Sequence, residues 1–190
     1  DANENIIIVM PNDRTDLYLK QDDDSYEASY GIKNHLEKTA NGYTLTVYED
    51  NFNSNGDYLK YYFESDEHHY LTKIEDRNGN TISFGYNVQK QLTMAQHSFG
   101  HIIVFNYTDN KLTDINYQDR SWQFEHDNND NLTKIIDPDG TEWMFDYNEC
   151  HDLTMMADPN GNIVSYIYND DFALTEVKGN ESEPRYSFEY

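Results

Sequence analysis

The chain has 190 residues and a formal net charge of −23, with a pI near 4.3. A surface this acidic repels both a phosphate backbone and an anionic bilayer, which excludes nucleic acid and acidic membranes as partners of the bulk of the chain. Seventeen Tyr, nine Phe and two Trp exclude disorder, because acidic disordered chains lack aromatics.

Cys150 is the sole cysteine, so no intramolecular disulfide can form. That fits either a reducing cytoplasm or a secreted bacterial protein of the kind that avoids cysteine. No apolar run approaches the ~18 residues of a spanning helix, so no membrane insertion is expected. No signal peptide opens the chain at Asp1, and Tyr190 falls on the last aromatic of a repeat. An excised piece of something longer is expected.

In chain order, Ile6 to Val9 and Leu17 to Lys20 read as strands, and Asn34 to Thr39 is too short for a helix. Tyr43-Thr44-Leu45-Thr46-Val47-Tyr48 and Tyr58-Leu59-Lys60-Tyr61-Tyr62-Phe63 flank Ser54-Asn55-Gly56 as a longer hairpin. Residues 1–64 are thus a β-rich lead-in.

Residues 65–190 are six tandem repeats. Leu71-Thr72, Leu92-Thr93, Leu112-Thr113, Leu132-Thr133, Leu153-Thr154 and Leu174-Thr175 recur at spacings of 20 or 21 residues. Each is followed by an aromatic pair: Phe84/Tyr86, Phe105/Tyr107, Phe124/His126, Phe145/Tyr147, Tyr166/Tyr168 and Phe188/Tyr190. A fixed period near 20 residues means that one small unit is stacked, and function then belongs to the array.

Each unit reads as two strands around a turn. Asp137-Pro138-Asp139-Gly140 and Asp158-Pro159-Asn160-Gly161 carry Pro where φ is pre-set and Gly where φ must be positive. This is the chemistry of a type I turn closed by a bulge. Gly79 and Gly100 hold the same place in two further units, whereas Tyr117-Gln118-Asp119-Arg120 lacks the Gly and one residue, so its turn should differ. If Asp76 pairs with Asn80, Ile74 faces Ile82, and the apolar set gathers on one face. A slip of one residue would scatter it.

Carried through every unit, this register predicts columns. First strands give Ile74, Ala95, Ile115, Ile135, Met156 and Val177; second strands give Ile82, Ile103, Trp122, Trp143, Val164 and Tyr186, then the aromatic pairs. The opposite face should carry the Leu column with Lys73, Ser83, Asp114, Gln123, Glu125, Lys134, Asp146 and Glu176. Links such as Asn87 to Lys90 and Asn148 to His151 are short and polar, which keeps neighbours antiparallel. The expected fold class is all-β, an antiparallel hairpin meander curled as part of a β-sheet shell. An isolated 190-residue chain is expected to self-associate through its sheet edges or aromatic face, more so in salt.

The unit Leu-Thr-x-Ile-x-Asp-x-x-Gly-x-x-x-x-Phe-x-Tyr-Asn resembles the YD repeat of the RHS family, best over Leu71 to Asn87 and Leu132 to Asn148. The resemblance covers roughly residues 40–190. It implies a large secreted protein whose repeats wind into a hollow cocoon around a variable C-terminal toxin; in animal teneurins a similar shell serves adhesion. Most copies here carry Asn where the family's Asp follows Tyr, and His126 replaces a Tyr. The self-cleaving end region and toxin do not fall within these 190 residues, and repeat phase assigns Asp158-Pro159-Asn160-Gly161 to a turn although it looks like the family's Asp-Pro-x-Gly motif. An Asn- and Lys-bearing, cysteine-poor chain suggests a secreted or wall-associated protein of a Gram-positive bacterium.

No catalytic constellation is expected. His35, His68, His69, His97, His101, His126 and His151 recur at no fixed spacing from Ser, Asp or Glu, and Cys150 lies in a link. Asp22-Asp23-Asp24, Asp127 to Asp130, Asp137/Asp139 and Asp170-Asp171 offer oxygens to calcium, but Asp and Asn are also ordinary turn formers. No cofactor or metal is therefore assigned. The residues of consequence are structural: Gly79, Phe84, Tyr86, Gly100, Phe105, Tyr107, Trp122, Phe124, Gly140, Trp143, Phe145, Tyr147, Gly161, Tyr166 and Tyr168. The function expected is a non-catalytic shell segment that encloses a C-terminal toxin in interbacterial competition. The alternative is a cell-surface adhesion module whose aromatics bind cell-wall glycans.

Overall fold

The structure, a computed structural model, describes residues 4–10, 13–48, 57–65, 69–180 and 184–188. Among them lie eighteen strands and no helix. β1 (Ile6–Val9), β2 (Thr15–Lys20) and β3 (Tyr26–Ala28) form a three-stranded antiparallel sheet. A second sheet holds β4 (His35–Thr39), β5 (Gly42–Tyr48), β6 (Tyr58–Glu64), β7 (Leu71–Asp76), β8 (Thr81–Tyr86), β9 (Leu92–His97), β10 (Ile102–Thr108), β11 (Lys111–Tyr117) and β12 (Arg120–His126). It continues through β13 (Leu132–Ile136), β14 (Glu142–Tyr147), β15 (Leu153–Ala157), β16 (Ile163–Tyr168), β17 (Leu174–Lys178) and β18 (Pro184–Ser187). Its fifteen strands follow chain order, with β4 and β18 as the outer members. By compactness the chain divides into two units, Asp1–Ile102 and Ile103–Tyr190.

The first unit holds the buried core, in the lead-in. Tyr18, Tyr26, Leu36 and Leu45 are all buried, with Ile6, Ile8, Tyr43, Val47, Tyr61 and Phe63 packed around them. Tyr26 meets Tyr43 edge to face at 5.9 Å, which joins β3 to β5. Asp16 is 1 % exposed and compensated: Arg14 donates Nε and Nη2 to its two oxygens at 2.8 and 3.0 Å, and Asn34 adds Nδ2 at 3.2 Å. Burial, with the Asp16 carboxylate beside it, pushes the Tyr18 hydroxyl up to about 12. Residues 35–39 are strand β4, with Leu36 facing the core. The proposed turn at Ser54 to Gly56 lies outside the described residues, as do His68 and Tyr190.

The second unit is built from repeats. Along β14 exposure alternates, with Trp143, Phe145 and Tyr147 half-buried and Met144 and Asp146 exposed. That is the period of a strand with one covered face. The expected register holds: Ile115 faces Trp122, Ile135 faces Trp143, Met156 faces Val164 and Val177 faces Tyr186. In the first unit Ile74 faces Ile82 likewise. The third turn does differ, a two-residue loop with Tyr117 opposite Arg120 and Gln118 at φ 55°.

Candidate functional site

The repeats supply three structural features: a turn, a bulge and an aromatic column. At the Gly-bearing turns the geometry is that of the expected three-residue loop. Asp137 N–H donates to Thr141 O at 2.9 Å, Gly140 N–H donates back to Asp137 O at 2.8 Å, and Gly140 sits at φ 82°. Gly79, Gly100 and Gly161 close their turns in the same way, at φ 81°, 88° and 81°.

The links that start at Asn87, Asp127, Asn148 and Asn169 turn out to be the same loop without glycine. Asn148 N–H donates to Asp152 O and His151 N–H to Asn148 O, at 3.0 and 3.1 Å. The position that Gly fills in the turns is held here by Lys90, Asp130, His151 and Phe172, at φ 65°, 70°, 65° and 61°. Left-handed φ disfavours any side chain, so something must hold these loops in place.

The residue at the start of each loop does so. Asp127 Oδ1 accepts the N–H groups of Asn129 and Asn131 at 2.8 and 3.0 Å, and its Oδ2 accepts Asn131 Nδ2 at 2.9 Å. Asp76 and Asp158 do the same within their turns. Asn148 Oδ1 takes the N–H groups of Cys150 and Asp152, and Asn169 Oδ1 those of Asp171 and Ala173. Asn therefore performs the task of the Asp that gives the YD repeat its name, because the loop needs an acceptor oxygen and not a charge. Donation from Asn80, Asn131 and Asn162 side chains holds the carboxyls of Asp76, Asp127 and Asp158 below the usual carboxylate range.

The bulge corrects one expectation. Glu125 faces Lys134, yet His126 faces Leu132, so Thr133 is an extra residue in its strand. The same skip falls on Thr72, Thr93, Thr113, Thr154 and Thr175. One extra residue reverses the alternation, so Leu stands opposite the second aromatic and on its face. The Leu column thus joins the aromatic face, where the strict period of two had put it on the polar one. Five of these Thr hydroxyls serve the gap: Thr72, Thr93, Thr113, Thr133 and Thr175 donate to the carbonyls of Tyr62, Gly85, Asn106, Glu125 and Ile167. The Leu-Thr pair was the clearest repeat signal, but its Thr carries a structural task that periodicity does not disclose.

The aromatics of the first five pairs fall in their columns. Phe84, Phe105, Phe124, Phe145 and Tyr166 face Ala95, Ile115, Ile135, Met156 and Val177. Tyr86, Tyr107, Tyr147 and Tyr168 face the Leu residues. Tyr86 OH also donates to Leu71 O at 2.8 Å, and Tyr168 OH to Leu153 O at 2.9 Å, latching each repeat's end to its start. Burial raises both tyrosines above their ordinary range.

The described histidines lie apart from one another in their contacts. His151 Nδ1 lies 2.7 Å from Asn131 Oδ1, His69 Nδ1 lies 3.1 Å from Glu64 O, and the His97 ring lies tilted against Phe99 at 4.8 Å. Among the described residues no group of three or more His, Cys, Asp or Glu is arranged to hold a metal ion. Asp76, Asp127 and Asp158 each direct one carboxylate oxygen at loop N–H groups and the other at an Asn side chain. Chemically, the arrangement can bury apolar surface and fix strand geometry.

Comparison with known proteins agrees. The family profile described as RHS Repeat matches residues 107–142 and 126–163. The fold is similar to the crystal structures of TcdB2-TccC3-Cdc42 and of TcdB2-TccC3, with TM-scores of 0.54 and 0.53 at 13% identity. Each match covers 92% of this chain and 11% of the other, so the chain spans a small part of those proteins. Curated proteins give no match. The profile lies on the turns, bulges and columns described above, so residues 107–163 match the RHS repeat, and the fold of the chain is similar to that of the TcdB2-TccC3 structures.

Proposed function

We propose that the chain is a non-catalytic wall segment of a larger RHS shell that encloses a C-terminal toxin for delivery in interbacterial competition. The observation that carries it is a half-buried aromatic face repeated unit after unit, with Trp143, Phe145 and Tyr147 as its pattern. A face of this kind suits one side of a wall. We place the whole protein outside the cell or on the wall of a Gram-positive bacterium, and the mechanism calls on no cofactor. Limited proteolysis of the full-length protein tests it. A C-terminal segment protected in the intact protein, and cleaved once Phe124, Phe145 and Tyr166 are replaced by Ala, supports enclosure; equal cleavage in both defeats it.

One observation favours a second reading, adhesion through glycans. Ile103, Ile115, Tyr117, Trp122 and Phe124 line a shallow cavity of about 440 Å³, and the Arg120 guanidinium lies 5.3 Å from the Trp122 ring. Aromatic rings in a hollow of this size can stack on sugars. Titration with cell-wall glycan separates the two readings, because saturable binding lost in Trp122→Ala belongs to adhesion alone.

A further inference from the structure

The outer strands of the fifteen-stranded sheet carry residues that disfavour indiscriminate edge pairing. β4 exposes Glu37 and Lys38, and β18 begins with Pro184. β1 is different. It is the outer strand of the three-stranded sheet, it reads Ile-Ile-Ile-Val, and it carries no charge and no proline.

Its backbone parity follows from the ladder. Met10 N–H donates to Arg14 O at 2.8 Å, and Ile8 and Ile6 stand opposite Asp16 and Tyr18. Antiparallel pairs alternate, so Ile8 and Ile6 bond to β2 while Ile7 and Val9 turn their N–H and C=O groups outward. Their side chains are exposed too, at 58% and 67%. Beside this edge opens a mostly apolar cavity of about 330 Å³, lined by Ile6, Ile8, Leu36, Tyr43, Phe63 and His69.

From these features we infer that β1 is a strand-addition site for an extended peptide segment with aliphatic residues at alternate positions and basic flanks. Outward main-chain donors and acceptors in a row are matched by another extended main chain. The cavity takes an aliphatic side chain from that strand and sets its register. The chain's charge of −23 draws basic flanks and repels acidic ones.

The test uses the 190-residue chain and a short fluorescent peptide of alternating Val and Thr with Lys at both ends, followed by anisotropy. Saturable binding is expected, weaker for a peptide ended in Glu. Ile7→Pro removes an outward N–H without touching a bond to β2, and Val9→Lys adds an edge charge. Each should weaken binding about tenfold or more. Retained exchange protection of the Tyr18 amide shows that each variant is folded. Equal affinity for parent and variants overturns the inference. So does a dimer of the chain dispersed by Val9→Lys, because β1 would then serve a second copy.

Discussion

Thr133 donates its hydroxyl to the carbonyl of Glu125 at 3.2 Å, across a strand pair in which Thr133 itself has no partner. That bond explains why Thr follows Leu in repeat after repeat. A bulge leaves main-chain groups without ladder partners, and a β-branched residue with a hydroxyl both fits the strand and answers one of them. We expect Thr133→Val to lower stability by about 0.5–1.5 kcal/mol, and Thr133→Ser to recover most of it. Urea midpoints of the three proteins check this.

Loops offer a test of opposite sign. His151 and Phe172 sit at φ 65° and 61°, where glycine is at ease. His151→Gly and Phe172→Gly should each be neutral or stabilising by up to about 1 kcal/mol, although Gly also loosens the unfolded chain. Gly140→Val, at φ 82°, should cost on the order of 1–3 kcal/mol. Gly42→Ala should be worse, because at φ 136° its new Cβ would drive into the Phe63 carbonyl. Thermal melts that ranked the four otherwise would contradict the loop geometry.

Acid should act through the turn carboxylates. Asp76, Asp127 and Asp158 titrate below the ordinary range when folded, because neighbouring Asn side chains and loop N–H groups hold the charged form. A depressed folded value means that their stabilisation is complete above the unfolded pKa of ~3.9 and is lost as pH falls through the folded one. Replacing all three by Asn keeps the acceptor oxygen, as Asn87, Asn148 and Asn169 do. The triple variant should show a flatter loss of denaturation midpoint below about pH 4 than the parent. Parallel curves would refute the assignment.

The two faces should respond unequally. Phe145 is half-buried, so Phe145→Ala should cost roughly 1–3 kcal/mol, less than the ~3–5 kcal/mol of a fully buried ring. Glu125 is exposed and reaches Lys134 only at 4.0 Å, so Glu125→Ala should stay within about 0.5 kcal/mol. Chemical denaturation of both variants checks the assignment of faces.

The hairpins were legible because their turns are written in glycine and their faces in period two. Ile74 opposite Ile82 and Ile135 opposite Trp143 follow from the turn alone. The bulge was not legible, since an inserted residue leaves the spacing of Leu pairs intact and changes only which face Leu occupies. Nor were the link loops, where Lys90 or Phe172 gives no hint of a left-handed backbone. The buried core is not legible in the sequence for another reason. Tyr18, Tyr26, Leu36 and Leu45 come from four short strands with no repeat to align them, and three-residue β3 carries too few positions to show a period.

Cryo-electron microscopy of the full-length protein bears most directly on the proposed function. If the chain is shell wall, β4 to β18 will appear as consecutive antiparallel strands of a closed wall, with downstream polypeptide enclosed by it. An open array with its aromatic face turned to solvent, and the C-terminal region free outside, would contradict it.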